Sequence, residues 1–204
     1  MPSLYFNQMA LSRQKLRKQL LSFPPRIDGK YSDVEMTQLR AYLAFCHSEI
    51  EIYLEMQALR SLVKIKNQWI ASGKISKSAI SLMAYCQIGV ASIPDDPTMI
   101  GKKSKISYLV NAAISSHEYT IRSNHGIRKK NFGRLFVPLG LQPEDMPEPL
   151  LIQLESFGSK RGGLVHNKSS VSISNLNDPF SVEDVQLDQL MAELKSFDST
   201  LSCL

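Results

Sequence analysis

The sequence predicts an all-α protein, a helical bundle with additional helices at its two ends. Three observations predict it. An apolar face of helical period runs without Gly or Pro from 34 to 70. Further segments with the same period follow, separated by Pro, Gly and Asn. The only β-tolerant stretch, 171–177, is short and polar and reads as a loop or a stray strand. That pattern of elements belongs to helix-on-helix architectures.

Residues 1–30 form a basic N-terminal extension carrying Arg13, Lys15, Arg17, Lys18, Arg26 and Lys30. Leu16 and Leu20 are at helical spacing, and a helix over 9–22 is expected to end at Phe23-Pro24-Pro25, because proline removes a donor and disfavours helix in the residue before it. Two readings stand for its charges: a solvated helix packed on the domain edge, or an arm facing phosphates.

Residues 31–204 form the helical domain. Ser32-Asp33-Val34-Glu35 is a capping box that opens the long helix. Leu39, Leu43, Cys46, Ile50 and Tyr53 make its buried face, continued by Leu59 and Leu62 up to Ser72-Gly73. His47, Glu51 and Glu55 fall on a neighbouring stripe at successive turns, the pattern of a surface ion-pair ladder. A second helix is expected over 77–90, burying Ile80, Leu82, Met83, Tyr85 and Cys86, and a third over 104–123, with Asn124-His125-Gly126 as its cap. A short basic helix over 127–136 carries Arg128, Lys129, Lys130 and Arg134. A loop over 141–149 leads to a helix over 150–157 that runs into Ser159-Lys160-Arg161-Gly162-Gly163-Leu164-Val165-His166-Asn167-Lys168. Asp178 or Ser181 caps a final amphipathic helix with Val185, Leu187, Leu190, Met191, Leu194 and Phe197.

Composition bounds the function. The 204 residues are 43% hydrophobic and 21% charged, ordinary for a folded chain, and the net charge of +5 mildly favours an anionic partner. Cys46, Cys86 and Cys203 are odd in number and lack C-x-x-C spacing, which fits a reducing compartment, with Cys46 a small buried hydrophobe and no zinc site. No apolar leader opens the chain, and the longest uncharged run, 78–94, is too polar and broken to span a bilayer. A cytoplasmic protein with no membrane contact is expected.

Phosphate-binding loops, dinucleotide fingerprints, zinc-protease helices and the serine-hydrolase elbow are all missing from the sequence. What remains is Arg161 and His166, an arginine and a histidine with four residues between them. Five positions along a regular helix turn through about 140°, so the two share a cleft only if the chain bends at Gly162-Gly163; the plainer role for that pair is a helix stop. Chemically the pair suits RNA cleavage without metal or other cofactor. A histidine takes a proton from a 2′-hydroxyl or gives one to the leaving 5′-oxygen, and a guanidinium holds the scissile phosphate.

Three blocks of the sequence together resemble the HEPN superfamily, specifically its RiboL-PSP-type group. They are the long-helix segment from Leu39 through His47, Glu51 and Glu55; Asn124-His125-Gly126-Ile127-Arg128 with Pro138-Leu139-Gly140; and Lys160-Arg161-Gly162-Gly163-Leu164-Val165-His166. They span residues 34–170. The resemblance implies a HEPN-like helical bundle that dimerises with its R-x4-H motifs facing a shared cleft. It also implies a metal-independent endoribonuclease, a toxin or defence effector with RNA as substrate and a cognate antitoxin protein as a possible partner. Arg161 and His166 take the catalytic positions, with His47, Glu51 and Glu55 as the shell that orients them. Where many such nucleases carry a polar residue after the arginine this chain has Gly162, and Asn167 is the candidate replacement. Lys160, Lys168, Arg128, Lys129 and Lys130 are the candidate RNA-backbone contacts, and a solvated basic face accounts for them equally. Non-catalytic members of the superfamily serve as binding modules, and that alternative stays open.

Overall fold

The computed structural model describes residues 1–86, 105–166 and 176–201, without the side chains of 143 and 161–166. Among the described residues every regular element is helical. The helices are α1 (Leu4–Leu20), α2 (Asp33–Ser72), α3 (Lys77–Tyr85), α4 (Ile106–Arg122), α5 (Lys129–Phe136), α6 (Glu148–His166) and α7 (Asp184–Leu201). No helix among the described residues is long and apolar enough to cross a membrane. The chain divides into two compact units, one of Met1–Leu54, His125–Asn131 and Pro147–Cys203, the other including Glu55–Asn124 and Phe132–Met146.

The first unit is built on the N-terminal half of α2. The capping box forms as written: the Ser32 hydroxyl accepts from the Glu35 amide at 3.3 Å, and the Glu35 carboxylate accepts from the Ser32 amide at 2.7 Å. The next turns bury Leu39, Tyr42, Leu43, Cys46, Ile50, Tyr53 and Leu54. Burial pushes the Cys46 thiol up to about 12, so it behaves as a small hydrophobe. Asp178 caps the last helix, accepting from the amides of Phe180 and Ser181 at 3.0 and 2.7 Å. One π-helical turn, Pro179–Glu183, then leads into α7, which buries Leu187, Leu190, Leu194 and Phe197.

Helix α1 starts earlier than the leucine spacing suggests, because Ser3 caps it. The Ser3 hydroxyl accepts from the Phe6 amide at 3.2 Å, and both its own amide and its hydroxyl donate to Asp198 at 2.6 Å. Two of the basic residues of 1–30 are tied to a carboxylate far along the chain. Arg13 and Arg17 both close on the buried Asp184, at 2.8 and 2.6 Å. The Tyr42 hydroxyl donates to the same carboxylate at 2.9 Å and accepts from Arg13 at 3.1 Å. A carboxylate buried to 4% exposure requires such partners, since an isolated buried charge is prohibitively costly. Burial alone would raise the Asp184 pKa; the hydrogen bonds from Arg17, Tyr42 and Arg13 outweigh it and hold the carboxyl below its ordinary value.

The second unit takes up α2 from Glu55 onward, with Ala58, Leu62 and Ile65 buried, and α2 ends at Gly73, whose φ of +63° glycine accepts without strain. Helix α3 packs on α4. Only one face of this nine-residue helix is covered: Ala79 and Leu82 are buried, whereas Ile80 and Tyr85, expected inside, are exposed, Ile80 because it points away from Leu82 and Tyr85 at the last position of the helix. Residues 87–90 of the expected helix, and residue 104 of the next, lie outside the described residues. Gly140, at φ +101°, brings the backbone against Ser78, whose hydroxyl a Cβ would meet at 3.2 Å. The 171–175 part of the β-tolerant stretch also lies outside the described residues.

Candidate functional site around the R-x4-H helix

The site lies in the first unit and is assembled from α2, the turn at 125–128 and α6. On α2, His47 is not part of a surface ladder: it is 1% exposed, with Nδ1 3.7 Å from the Glu51 carboxylate one turn on. Glu51 is half-buried because its carboxylate accepts the Gly126 backbone N–H. Gly126 sits at φ +113°, a left-handed conformation that glycine supplies at little cost, and so presents its amide to α2. Glu55 plays the matching part in the other unit, accepting from the Asn124 side-chain amide at 3.0 Å. The three residues that look alike in sequence thus divide: one is an interior imidazole, and two carboxylates hold polar groups of 124–126.

Helix α6 approaches the same turn. A Cβ on Gly158 would lie 2.8 Å from Arg128 Cγ and 3.3 Å from Ile127 Cγ1, so a bare backbone is what lets α6 pack there. One residue earlier, the Phe157 ring lies on the His47 ring, centroids 6.0 Å apart. Arg161 follows Phe157 by one turn of α6. A groove of about 210 Å³, bordered by Phe157, Lys160, Gln186 and Leu190, runs along this part of α6.

The glycine pair is not a helix stop. α6 does not stop at Gly162-Gly163; its backbone is helical through both and ends at His166. The helix therefore begins at Glu148 and runs well past the expected 150–157. In a regular helix, positions five apart stand about 140° apart around the axis, so positions 161 and 166 lie on different faces of α6. The side chains of Arg161 and His166, together with all of Asn167 and Lys168, lie outside the described residues.

The basic candidates separate by environment. The Lys160 ammonium is held by Glu183, itself 2% exposed, at 2.7 and 3.0 Å. It reaches Gln186 at 3.3 Å. That ion pair ties α6 to the turn before α7, and Glu183 also accepts from the Asn177 amide at 3.0 Å. Arg128, Lys129 and Lys130 are exposed. Arg128 makes a loose contact of 3.9 Å with Glu155, and it is the backbone amide of Lys129, not its ammonium, that Glu155 holds at 3.1 Å. The cations of 128–130 remain available at the surface beside the turn that Glu51 and Gly158 position.

Among the described residues no three His, Cys, Asp or Glu side chains come together as a metal site would require. Sequence reasoning missed Phe157 and Gly158 as parts of the site. The signal for Phe157 was present, since it precedes the motif arginine by one helical turn. The need for a glycine at 158 comes from a neighbour distant in sequence and has no local signature. No family model, no characterised protein and no solved structure matches the chain.

Proposed function

We propose that this chain is a metal-independent endoribonuclease of HEPN type, a toxin or defence effector that acts as a homodimer. The observation that carries the reading is that one unit holds parts of all three resembling blocks: His47 and Glu51, the turn at 125–128, and the helix that carries 160–166. Phe157, one turn before Arg161, packs on His47, while Glu51 takes the amide of Gly126 and Gly158 packs on Ile127 and Arg128. In this reading Arg161 binds the scissile phosphate and stabilises the charge that develops on it. His166 takes the proton from the 2′-hydroxyl as its oxygen attacks phosphorus. The 5′-oxygen leaves with a proton from the second copy's motif, so the composite cleft supplies acid and base that one histidine cannot supply at once. His47 and Glu51 position the motif helix, and Arg128, Lys129 and Lys130 neutralise flanking phosphates.

One observation favours a second reading, a non-catalytic module that binds a partner protein or nucleic acid. The unbroken course of α6 through Gly162 and Gly163 leaves positions 161 and 166 on different faces of one chain. Incubating wild type and His166→Ala with total RNA in EDTA separates the two. Fragments ending in cyclic phosphate from the wild type alone are expected. Equal cleavage by the variant, or none by a concentrated wild-type sample, would sink the nuclease reading.

A further inference from the structure

We propose that a cavity of about 510 Å³ bounded by α3, α4, α5 and the residues just after α5 binds a nucleoside monophosphate. It lies wholly in the second unit and shares no residue with the site on α6. Its volume is that of small-molecule sites. Tyr85, Val137 and Pro138 supply flat and apolar walls. His117, Arg134 and Gly133 supply the recognition.

His117 is 2% exposed, and its Nε2 lies 3.1 Å from the Leu135 carbonyl. A carbonyl only accepts, so Nε2 carries the proton and Nδ1 is the acceptor of the neutral ring. Burial lowers the His117 pKa, which keeps the ring in that neutral form at ordinary pH. Arg134 lines the same cavity, exposed, with no ion pair or hydrogen bond among the described residues. Two of the other polar groups are already engaged. Thr120 donates to the Ser116 carbonyl at 3.2 Å, and the Cys86 thiol to the Ala113 carbonyl at 3.6 Å. What the cavity asks of a ligand is thus one anionic group for the guanidinium, one N–H or O–H for an imidazole acceptor, and a planar body for the walls. A nucleoside monophosphate carries all three.

Gly133 points the same way. It sits inside α5, where glycine weakens a helix, yet a Cβ there would meet nothing within 4 Å and its φ is not left-handed. Neither packing nor backbone conformation calls for glycine. Its bare backbone leaves that wall of the cavity open to a ligand.

The test is titration of the full chain with AMP, GMP, CMP and UMP, followed by calorimetry and by the His117 ring signals in NMR. Inorganic phosphate, the free nucleosides and 4-aminobenzoate serve as comparison ligands. At least one monophosphate is expected to bind saturably, with phosphate alone, free nucleoside and the carboxylate each ~10-fold weaker or worse. Arg134→Gln should weaken it by a similar factor, and Gly133→Leu should abolish it while melting no lower than wild type. No saturable binding, equal binding of phosphate alone or of the carboxylate, or binding indifferent to both variants would overturn the proposal. None of these readouts depends on RNA cleavage, so this site and the nuclease reading can fail separately.

Discussion

The Phe157 ring of α6 rests on the buried His47 ring of α2, with centroids 6.0 Å apart and planes inclined by 40°. The contact fixes where the turn of α6 that begins with Arg161 starts. Glu51, adjoining His47 along α2, fixes the turn at Gly126 that α6 packs against. An aromatic ring and a carboxylate thereby set the register of three separate stretches of chain.

On the proposed nuclease reading, Phe157→Ala and Glu51→Gln are therefore expected to impair RNA cleavage through position. Displacing a reacting group by about 1 Å costs on the order of 100-fold in turnover. Both variants should lose kcat with KM little changed, and Glu51→Asp should recover more activity than Glu51→Gln. Single-turnover cleavage of a labelled RNA in EDTA measures this; variants as active as wild type would remove both residues from the site.

Asp184 is expected to anchor the N-terminal helix. Removing one member of a buried ion pair costs about 3–5 kcal/mol, because the other charges are left without a partner. Asp184→Ala should lower stability by that order in urea titrations and expose α1 to proteolysis first. Arg13→Ala should cost less, because Arg17 and Tyr42 still reach the carboxylate.

The same carboxylate gives a pH dependence. Its folded pKa lies below its ordinary value of about 3.9, so its stabilising contribution is fully present above that value. It is lost as pH falls from there through the folded pKa. The stability gap between wild type and Asp184→Asn should be constant from pH 7 to about 5 and shrink as the pH approaches 2. Denaturation midpoints across that range measure it; a gap that widened on acidification would contradict the arrangement.

Gly140→Ala should destabilise the second unit by about 1–3 kcal/mol, the cost of a non-glycine residue in a disfavoured backbone region. Its φ of +101° is one source of that cost, and the approach of Cβ to Ser78 at 3.2 Å is the other. Ser78→Gly should relieve the second source only. Thermal melting of the single and double variants separates the two contributions.

The sequence by itself determined the helical class and most element boundaries. The capping box at Ser32, the caps at Asp178 and Gly73, and the uninterrupted apolar face of α2 act over a few residues, and such local signals survive reading one residue at a time. It also singled out Glu51 and the turn at Gly126. It could not say that His47 would be interior while Glu51 and Glu55 held a neighbouring loop, because all three share one spacing and differ only in what packs over them. Nor could it place Arg13 and Arg17 on Asp184, since the partners stand more than 160 residues apart and nothing near α1 encodes the buried carboxylate. At Gly162-Gly163 local propensity favoured a break, and the helix continues. Ahead of that pair α6 is held by Phe157 on His47, Gly158 on Ile127 and Arg128, and Lys160 on Glu183. Propensity is worth only about 1 kcal/mol per glycine, less than such a set of tertiary contacts. Only the tertiary structure could decide the course of the motif helix, for the same reason that it decided the fate of His47: the deciding neighbours come from elsewhere in the chain.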